Sequence, residues 1–318
     1  MSEIRRRGTG IVRAVCISDR RGIQKVNVET AQFEEGFGIC GDAHGGNWHR
    51  QVSLLSAEKI DEFNQRGADV ESGAFGENLV VEGFDFRELP VGTTFQCNDV
   101  ILEMTQIGKE CHTHCQIYQK MGECIMPTQG VFAQVIRGGT ISVGDEMKII
   151  ERADTRYTVA VVTLSDKGAQ GEREDTSGPL ICEMVEDAGY RVVERLLLPD
   201  EQKQIEQELI RLADGRQVNL ILTTGGTGFS ERDRTPEATM AVATRNAPGI
   251  ADAIRMYSLS ITGRAMLGRG ASVIRNKTVI VNLPGSKKAV RESLEYILPH
   301  LKHGIQILLG DTSDCGGK

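Results

Sequence analysis

Residues 220–239 hold the feature that most restricts how this chain can fold. An apolar run, Leu220-Ile221-Leu222, opens into Thr223-Thr224-Gly225-Gly226-Thr227-Gly228, passes Asp233 and closes on Thr235-Pro236-Glu237. The apolar run reads as a buried strand. The closing triplet reads as a helix start, with Thr235 as N-cap, proline at the first helical position and an acid in the first turn. Glycines at 225, 226 and 228 allow positive φ and let backbone N–H groups come close to an anion. The helix N-terminus that follows is itself suited to a phosphate. Asp233 stands where a metal on that phosphate would find a carboxylate. A nucleotide P-loop is a poor match, because no Gly-Lys-Ser/Thr follows and the loop has no lysine. Taken alone, three glycines also suit a tight strand-to-helix turn with no chemistry.

The chain has 318 residues, 40% of them hydrophobic and 25% charged, enough for two soluble domains with sizeable cores. A net charge of −7 without a basic stripe argues against a nucleic-acid partner. No apolar run approaches the ~20 residues of a membrane helix, so no membrane partner is expected. The first residues lack the apolar core of a signal peptide, and a cytoplasmic location is expected. Eight cysteines are too few for a disulfide scaffold at this length.

The pattern changes character at the polar link 151–156. Before it, short strand-like runs at 10–17, 24–28, 52–55, 78–81, 100–104 and 132–136 are separated by glycine turns, with one helix expected from the Ser56 cap to Phe63. Such spacing predicts a mainly β barrel over 1–152. After it, strands expected at 157–164, 191–197 and 278–283 alternate with helices at 178–188, 201–213 and 286–301. That alternation predicts an α/β three-layer domain with a mostly parallel sheet over 156–310, its ligands at the carboxyl ends of the strands. Residues 311–318 read as a tail.

Four segments in this second half, in order, resemble the Mog/MoaB-type molybdopterin adenylyltransferases. They are Val159-Ala-Val-Val-Thr-Leu-Ser165-Asp166, Leu198-Pro-Asp200-Glu-Gln202, the glycine stretch, and Val281-Asn282-Leu-Pro284-Gly285-Ser286. The resemblance implies adenylylation of molybdopterin with ATP, and Asp200 and Asp233 as the acidic pair that holds Mg²⁺ and positions phosphate. It implies substrate contacts from Ser165, Asp166, Gly225, Gly226, Thr227, Gly228, Thr235, Ser258, Asn282, Pro284, Gly285 and Ser286. A homotrimer is implied in the same way. Asp200 by its residues alone could be only a helix N-cap, Asp166 a turn residue, and Ser258 a solvent-facing serine. Met266-Leu-Gly268-Arg269 departs from the family's Leu-Ser-Arg: Gly268 lacks the hydroxyl, which puts one substrate hydrogen bond in doubt.

In the first half, Cys111-His112-Thr-His114-Cys115, with Cys124 nearby, leaves three readings open: a zinc site, inert thiols, or a reactive thiolate. The surrounding segments, Gly41-Asp-Ala-His44-Gly-Gly46, Gly73-Ala-Phe-Gly-Glu-Asn-Leu79, 105–111 and 138–145, resemble the landmarks of a MOSC domain. That resemblance implies a β-barrel that sulfurates or binds molybdenum cofactor. It points to Cys111, after Thr105 and Gly108, as its thiol, with His44 and His49 as pocket residues. Glu110 stands where relatives often carry proline.

Together these readings describe an enzyme of molybdenum-cofactor synthesis. Its partners would be molybdopterin, ATP, and a molybdenum-insertion protein or acceptor molybdoenzyme. The rival reading is a non-catalytic carrier or store of the cofactor. A weaker one makes the first half a molybdoenzyme that reduces N-hydroxylated bases.

Overall fold

A computed structural model describes residues 8–109 and 116–310. The chain divides into two compact units, Met1–Asp154 and Thr155–Lys318.

The first unit is built from β1 (Thr9–Ile17), β2 (Val26–Asn27), β3 (Thr30–Glu34), β4 (Gly38–Ile39), β5 (Val52–Ser56), α1 (Ala57–Gln65), β6 (Leu79–Glu82), β7 (Thr94–Cys97), β8 (Val100–Ile107), α2 (Gln116–Met121), α3 (Met126–Gln129), β9 (Val131–Arg137), β10 (Gly139–Ser142) and β11 (Glu146–Ile150). Seven strands close a barrel in the order β11-β7-β8-β9-β5-β6-β1, because β1 pairs with β11 at Thr9–Ile11 and with β6 from Ile11 to Val15. A register shift between Val12 and Ala14 lets one strand serve both neighbours. β2 extends from the far end of β1, and β10-β3-β4 forms a small separate sheet. Val12, Leu54, Leu79, Val81, Phe95 and Met104 fill the interior, as alternation on barrel strands requires. α1 packs Ile60 and Phe63 against the outer face at Ala14, Leu55 and Val80.

The mainly β expectation thus holds, and the structure adds five strands that the runs did not reveal: β3, β4, β7, β10 and β11. All are five residues or shorter. Ser56 does occupy the N-cap of α1, but its hydroxyl donates to Glu58 Oε2 at 2.7 Å instead of accepting from the helix.

The second unit continues with β12 (Thr158–Leu164), α4 (Asp166–Ala169), α5 (Ser177–Asp187), β13 (Arg191–Leu198), α6 (Gln202–Ile210), β14 (Leu220–Thr224), α7 (Thr235–Ala241), β15 (Arg245–Asn246), α8 (Pro248–Ile261), β16 (Ser272–Arg275), β17 (Thr278–Leu283) and α9 (Lys287–Leu309). Its sheet runs β13-β12-β14-β17-β16-β15, parallel from β13 to β17 and antiparallel at β16 and β15. Alternate strand residues bury in two opposite cores. Val159, Val161, Leu222 and Val281 meet α5, α8 and α9, whereas Ala160, Val162, Ile221 and Ile280 meet α6 and α7. This is the predicted three-layer arrangement. α9 extends eight residues beyond the expected end and passes through Pro299, closing at Gly310 with φ +87°.

Register decides where the chemistry falls. Leu164 pairs with Leu198, Thr163 with Thr224, and Thr224 with Leu283. Four parallel strands therefore end level with one another. The residues that follow them, Ser165-Asp166, Pro199-Asp200, Gly225-Gly226 and Pro284-Gly285, stand side by side along one edge.

Candidate functional site

The glycine loop follows β14. Gly225 has φ +97° and Gly226 φ +63°, a region that side-chain-bearing residues rarely adopt. A Cβ on Gly225 would lie 2.1 Å from Leu164 O, and one on Gly226 would lie 2.3 Å from Thr235 Oγ1 and 2.8 Å from Asp200 Oδ1. Gly228 does not need positive φ, contrary to expectation; its lack of a side chain makes room for Asp233 Oδ2, 2.9 Å from the place of a Cβ. Thr235 is not the N-cap either. Arg234 holds that position, and Thr235, first in α7, donates its hydroxyl to Gly225 O at 2.9 Å. Thr224 Oγ1 donates to Pro284 O at 2.7 Å, so the glycine loop is tied on both sides.

Two arginines that the sequence reading did not single out brace this loop. Arg269 donates from Nε to Gly228 O at 2.6 Å, from Nη2 to Asp233 O at 2.5 Å, and from Nη1 to Glu237, while its N–H bonds Thr227 O. Arg232 grips Asp166 with Nε and Nη2, at 3.0 and 2.9 Å, and reaches Glu201 with Nη1 at 2.7 Å. Both lie within stretches already conspicuous for other residues, so adjacency to Asp233 and Gly268 was the available signal.

Asp166 and Asp200 bond each other through backbone N–H groups: Asp166 N donates to Asp200 Oδ2, and Asp200 N to Asp166 Oδ1, both at 3.0 Å. Asp200 therefore does not cap α6, whose N-cap is Glu201. Its other oxygen, Oδ1, is buried beside Gly226 without a hydrogen-bond partner. Burial, then the charges of Asp166 and Asp233, push the Asp200 carboxyl above its ordinary value. The hydrogen bonds from Arg232, then that from Asp200 N, hold the Asp166 carboxyl below its ordinary value. A buried, unpaired carboxylate oxygen costs stability unless a cation or donor completes it.

Asp200, Asp233, Gly225, Gly226, Ser165, Gly285 and Ser286 line one cleft of about 660 Å³. The N-termini of α5 and α9 also open onto it through Ser177 and Lys287. Asp175 closes its wall, accepting from Thr163 Oγ1 at 3.0 Å and from Gly178 N at 2.8 Å. Ser165 caps α4, accepting from Gly168 N, and Ser286 caps α9 through Ala289 N. A second cavity of about 260 Å³ is lined by Thr227, Ser258, Arg255, Arg264, Gly268 and Pro284, among others. Asn282, expected to bond a substrate, is buried, and its side chain is engaged internally. Its Nδ2 donates to Thr223 and Thr239, and its Oδ1 accepts from Ala271 N. It ties β17 to α7 and β14.

In the first unit, Cys111 and its neighbours at 110–115 lie outside the described residues. Asp42 of the Gly-Asp-Ala-His turn is buried against Lys25, whose Nζ is 2.7 and 2.6 Å from its two oxygens, and it also accepts from Ser18 N and Asn78 Nδ2. His44 Nδ1 is 3.3 Å from the same Lys25 Nζ, and His49 Nε2 is 2.9 Å from Gln106 Oε1. Burial pushes Cys16 and Cys97 each up to about 12, so neither supplies a thiolate at neutral pH.

The α/β sheet thus carries a glycine loop, Asp200 and Asp233, and two cavities at its carboxyl edge, where ligands bind in open sheets of this class. The family model of a probable molybdopterin binding domain matches residues 160–303, and that of the MOSC domain matches 41–148. The molybdopterin adenylyltransferase of Helicobacter pylori (strain J99) is 39% identical over 162 residues, which cover 50% of this chain and 92% of that one. That of Escherichia coli (strain K12) is 42% identical over 139 residues, 43% of this chain and 71% of that one. The molybdopterin biosynthesis enzyme MoaB of Thermus thermophilus, a solved structure, is 44% identical over 48% of this chain and 97% of that one, with a TM-score of 0.47. The chain belongs to the molybdopterin-binding family of molybdenum-cofactor biosynthesis, and it carries a MOSC domain ahead of that part.

Proposed function

We propose that the second unit is a molybdopterin adenylyltransferase, joining a phosphate of molybdopterin to the α-phosphate of ATP and releasing pyrophosphate. The observation that carries this reading is Asp200 Oδ1, buried without a partner beside Gly226 in the cleft that Asp233 also lines. The activity named for relatives 39–42% identical over this half supports it.

The residues fit Mg²⁺, which binds through one or two carboxylates and leaves its other positions to water and phosphate. Among the described residues no group of three or more His, Cys, Asp or Glu forms a closed cage. Asp200 and Asp233 would hold the ion, which when bound neutralises charge on the polyphosphate. The chain's own part is positioning. Gly225 and Gly226 bring backbone against a phosphate, the starts of α5 and α9 add N–H groups, and Arg269 fixes the loop. Ser165, Gly285 and Ser286 on the cleft, and Thr227, Ser258, Asn282 and Pro284 on the second cavity, are proposed to contact substrate, with Asp166 and Thr235 positioning Asp200 and the glycine loop behind them. Pyrophosphate release that requires molybdopterin, ATP and Mg²⁺ together is the expected result. Molybdopterin binding without any release would make the chain a carrier instead.

Exposed Met256, Leu259, Met266 and Leu267 on α8 and the turn after it support association of copies, and a homotrimer by sedimentation is expected. No described helix is long and apolar enough to cross a membrane, and the proposed reaction belongs in the cytoplasm. The MOSC unit is proposed to bind or sulfurate a later form of the cofactor through Cys111. Cys111→Ser should leave adenylylation intact and abolish sulfur transfer to, or retention of, metal-loaded cofactor. Stoichiometric zinc lost equally in Cys111→Ser and Cys115→Ser would refute that role.

A further inference from the structure

We propose that Arg232 is a built-in counter-cation that keeps the acidic edge of the cleft closed to free divalent metal until a polyphosphate arrives. This rests on the adenylyltransferase reading and adds a positioning residue to it. Arg232 lies in the six-residue segment between Gly228 and Thr235, next to Asp233. Its guanidinium crosses from that segment to the ends of two other strands, taking Asp166 after β12 bidentately and Glu201 after β13. Asp166 in turn fixes Asp200 by their reciprocal backbone bonds, which leaves Oδ1 aimed at Gly226. One side chain thus sets the position of one carboxylate of the pair through Asp166, and its neighbour in sequence is the other.

The arrangement suits exchange. Arg232 is half exposed, at 51% of its side chain, so little packing holds it in place. A phosphate presents a guanidinium with the same two-oxygen geometry as the Asp166 carboxylate. Before nucleotide binds, the guanidinium offsets the charge of Asp166, Asp200 and Asp233 and disfavours a second cation nearby. When a triphosphate enters, its added negative charge reverses that balance, and metal and nucleotide bind as a pair. A guanidinium that merely braced the fold would strengthen every ligand; this one weakens free metal and strengthens nucleotide.

Titration of the full chain with Mn²⁺ alone, followed by electron paramagnetic resonance, separates the two. Arg232→Gln is expected to bind Mn²⁺ about tenfold more tightly than wild type, the scale of removing one nearby like charge at a screened surface. Arg232→Lys should fall between, keeping charge but losing the fork. ATP with Mg²⁺ should bind more weakly to Arg232→Gln than to wild type. Adding Asp200→Asn to Arg232→Gln should remove the gain in Mn²⁺ affinity. Equal or weaker Mn²⁺ binding by Arg232→Gln, or a gain that survives Asp200→Asn, overturns the proposal. A wild type that binds Mn²⁺ but no ATP would sink the adenylyltransferase reading, whereas intact ATP binding with equal Mn²⁺ affinities would sink the counter-cation alone.

Discussion

Two carboxylate-centred clusters, one in each unit, each start from an aspartate in a turn and end in opposite states. Asp42 follows a glycine in a tight turn and is buried with Lys25, Asn78 and Ser18, all bonded to its two oxygens. Asp200 follows a strand, beside a glycine loop, and keeps one buried oxygen without a partner. The first cluster is closed and holds two motif segments of the barrel together. The second is an incomplete site that a ligand can complete. Satisfaction of valences, more than the number of acids, separates a brace from a site that carries chemistry.

The sharpest way to break the comparison is to remove each acid in turn. Asp42→Ala leaves the Lys25 ammonium buried without its partner, which costs about 3–5 kcal/mol. Urea melts should show the first unit destabilised by that order, and unchanged stability would mean that the pair is not a brace. Asp200→Asn and Asp233→Asn should do the reverse. Each should lower adenylylation by about 10²–10³-fold, the loss typical when one electrostatic partner of a transition state is removed, while melting stays at or above wild type. Near-wild-type turnover in a folded variant would remove that aspartate from the site.

A smaller effect tests the loop between them. Gly226→Val meets both the φ of +63° and the close Thr235 and Asp200 oxygens. It should cost about 1–3 kcal/mol of stability and weaken nucleotide or pterin binding by more than that. Unchanged affinity by calorimetry would show the loop to be a turn only.

A pH dependence should appear in the closed cluster's neighbourhood, seen as a gradual slope. Burial pushes the Glu77 carboxyl up to about 7, although Gly73 N and Phe75 N donate to it. Between its ordinary value and about 7 the unfolded chain has released this proton and the folded chain has not. The contribution of Glu77 to stability therefore declines as pH rises through that window and levels off above it. Melts from pH 5 to 8 should show the decline, and Glu77→Gln should flatten it.

Much of the second unit was legible in the chain itself. A strand ending in Gly225-Gly226, a strand ending in Pro199-Asp200 and a strand ending in Leu283-Pro284 are local patterns with local causes, and helix–strand alternation forces the sheet to be mostly parallel. The first unit was legible only in outline, since the short strands β7 and β11 of its barrel and β3, β4 and β10 of its small sheet carry too few residues to show a period. β10 and β11 also find partners far along the chain, β10 at β3 and β11 at β7 and β1.

What each polar side chain does could not be read locally. Asn282 and Thr235 stand in stretches that promise ligand contact. Distant segments bring Thr223, Thr239 and Ala271 to Asn282, which also lines the second cavity, and Gly225 O to Thr235, bonds that no local pattern announces. Asp200 has the sequence of a helix cap, yet pairing of Leu164 with Leu198 sets Asp166 N beside it and turns one oxygen away from α6. Arg232 acquires its place only because the ends of β12 and β13 are neighbours. Residue type and order name the chemistry a segment is able to perform. Which donors and acceptors remain free for a ligand is set by contacts between distant segments, because hydrogen bonds form with whatever the fold brings within about 3 Å.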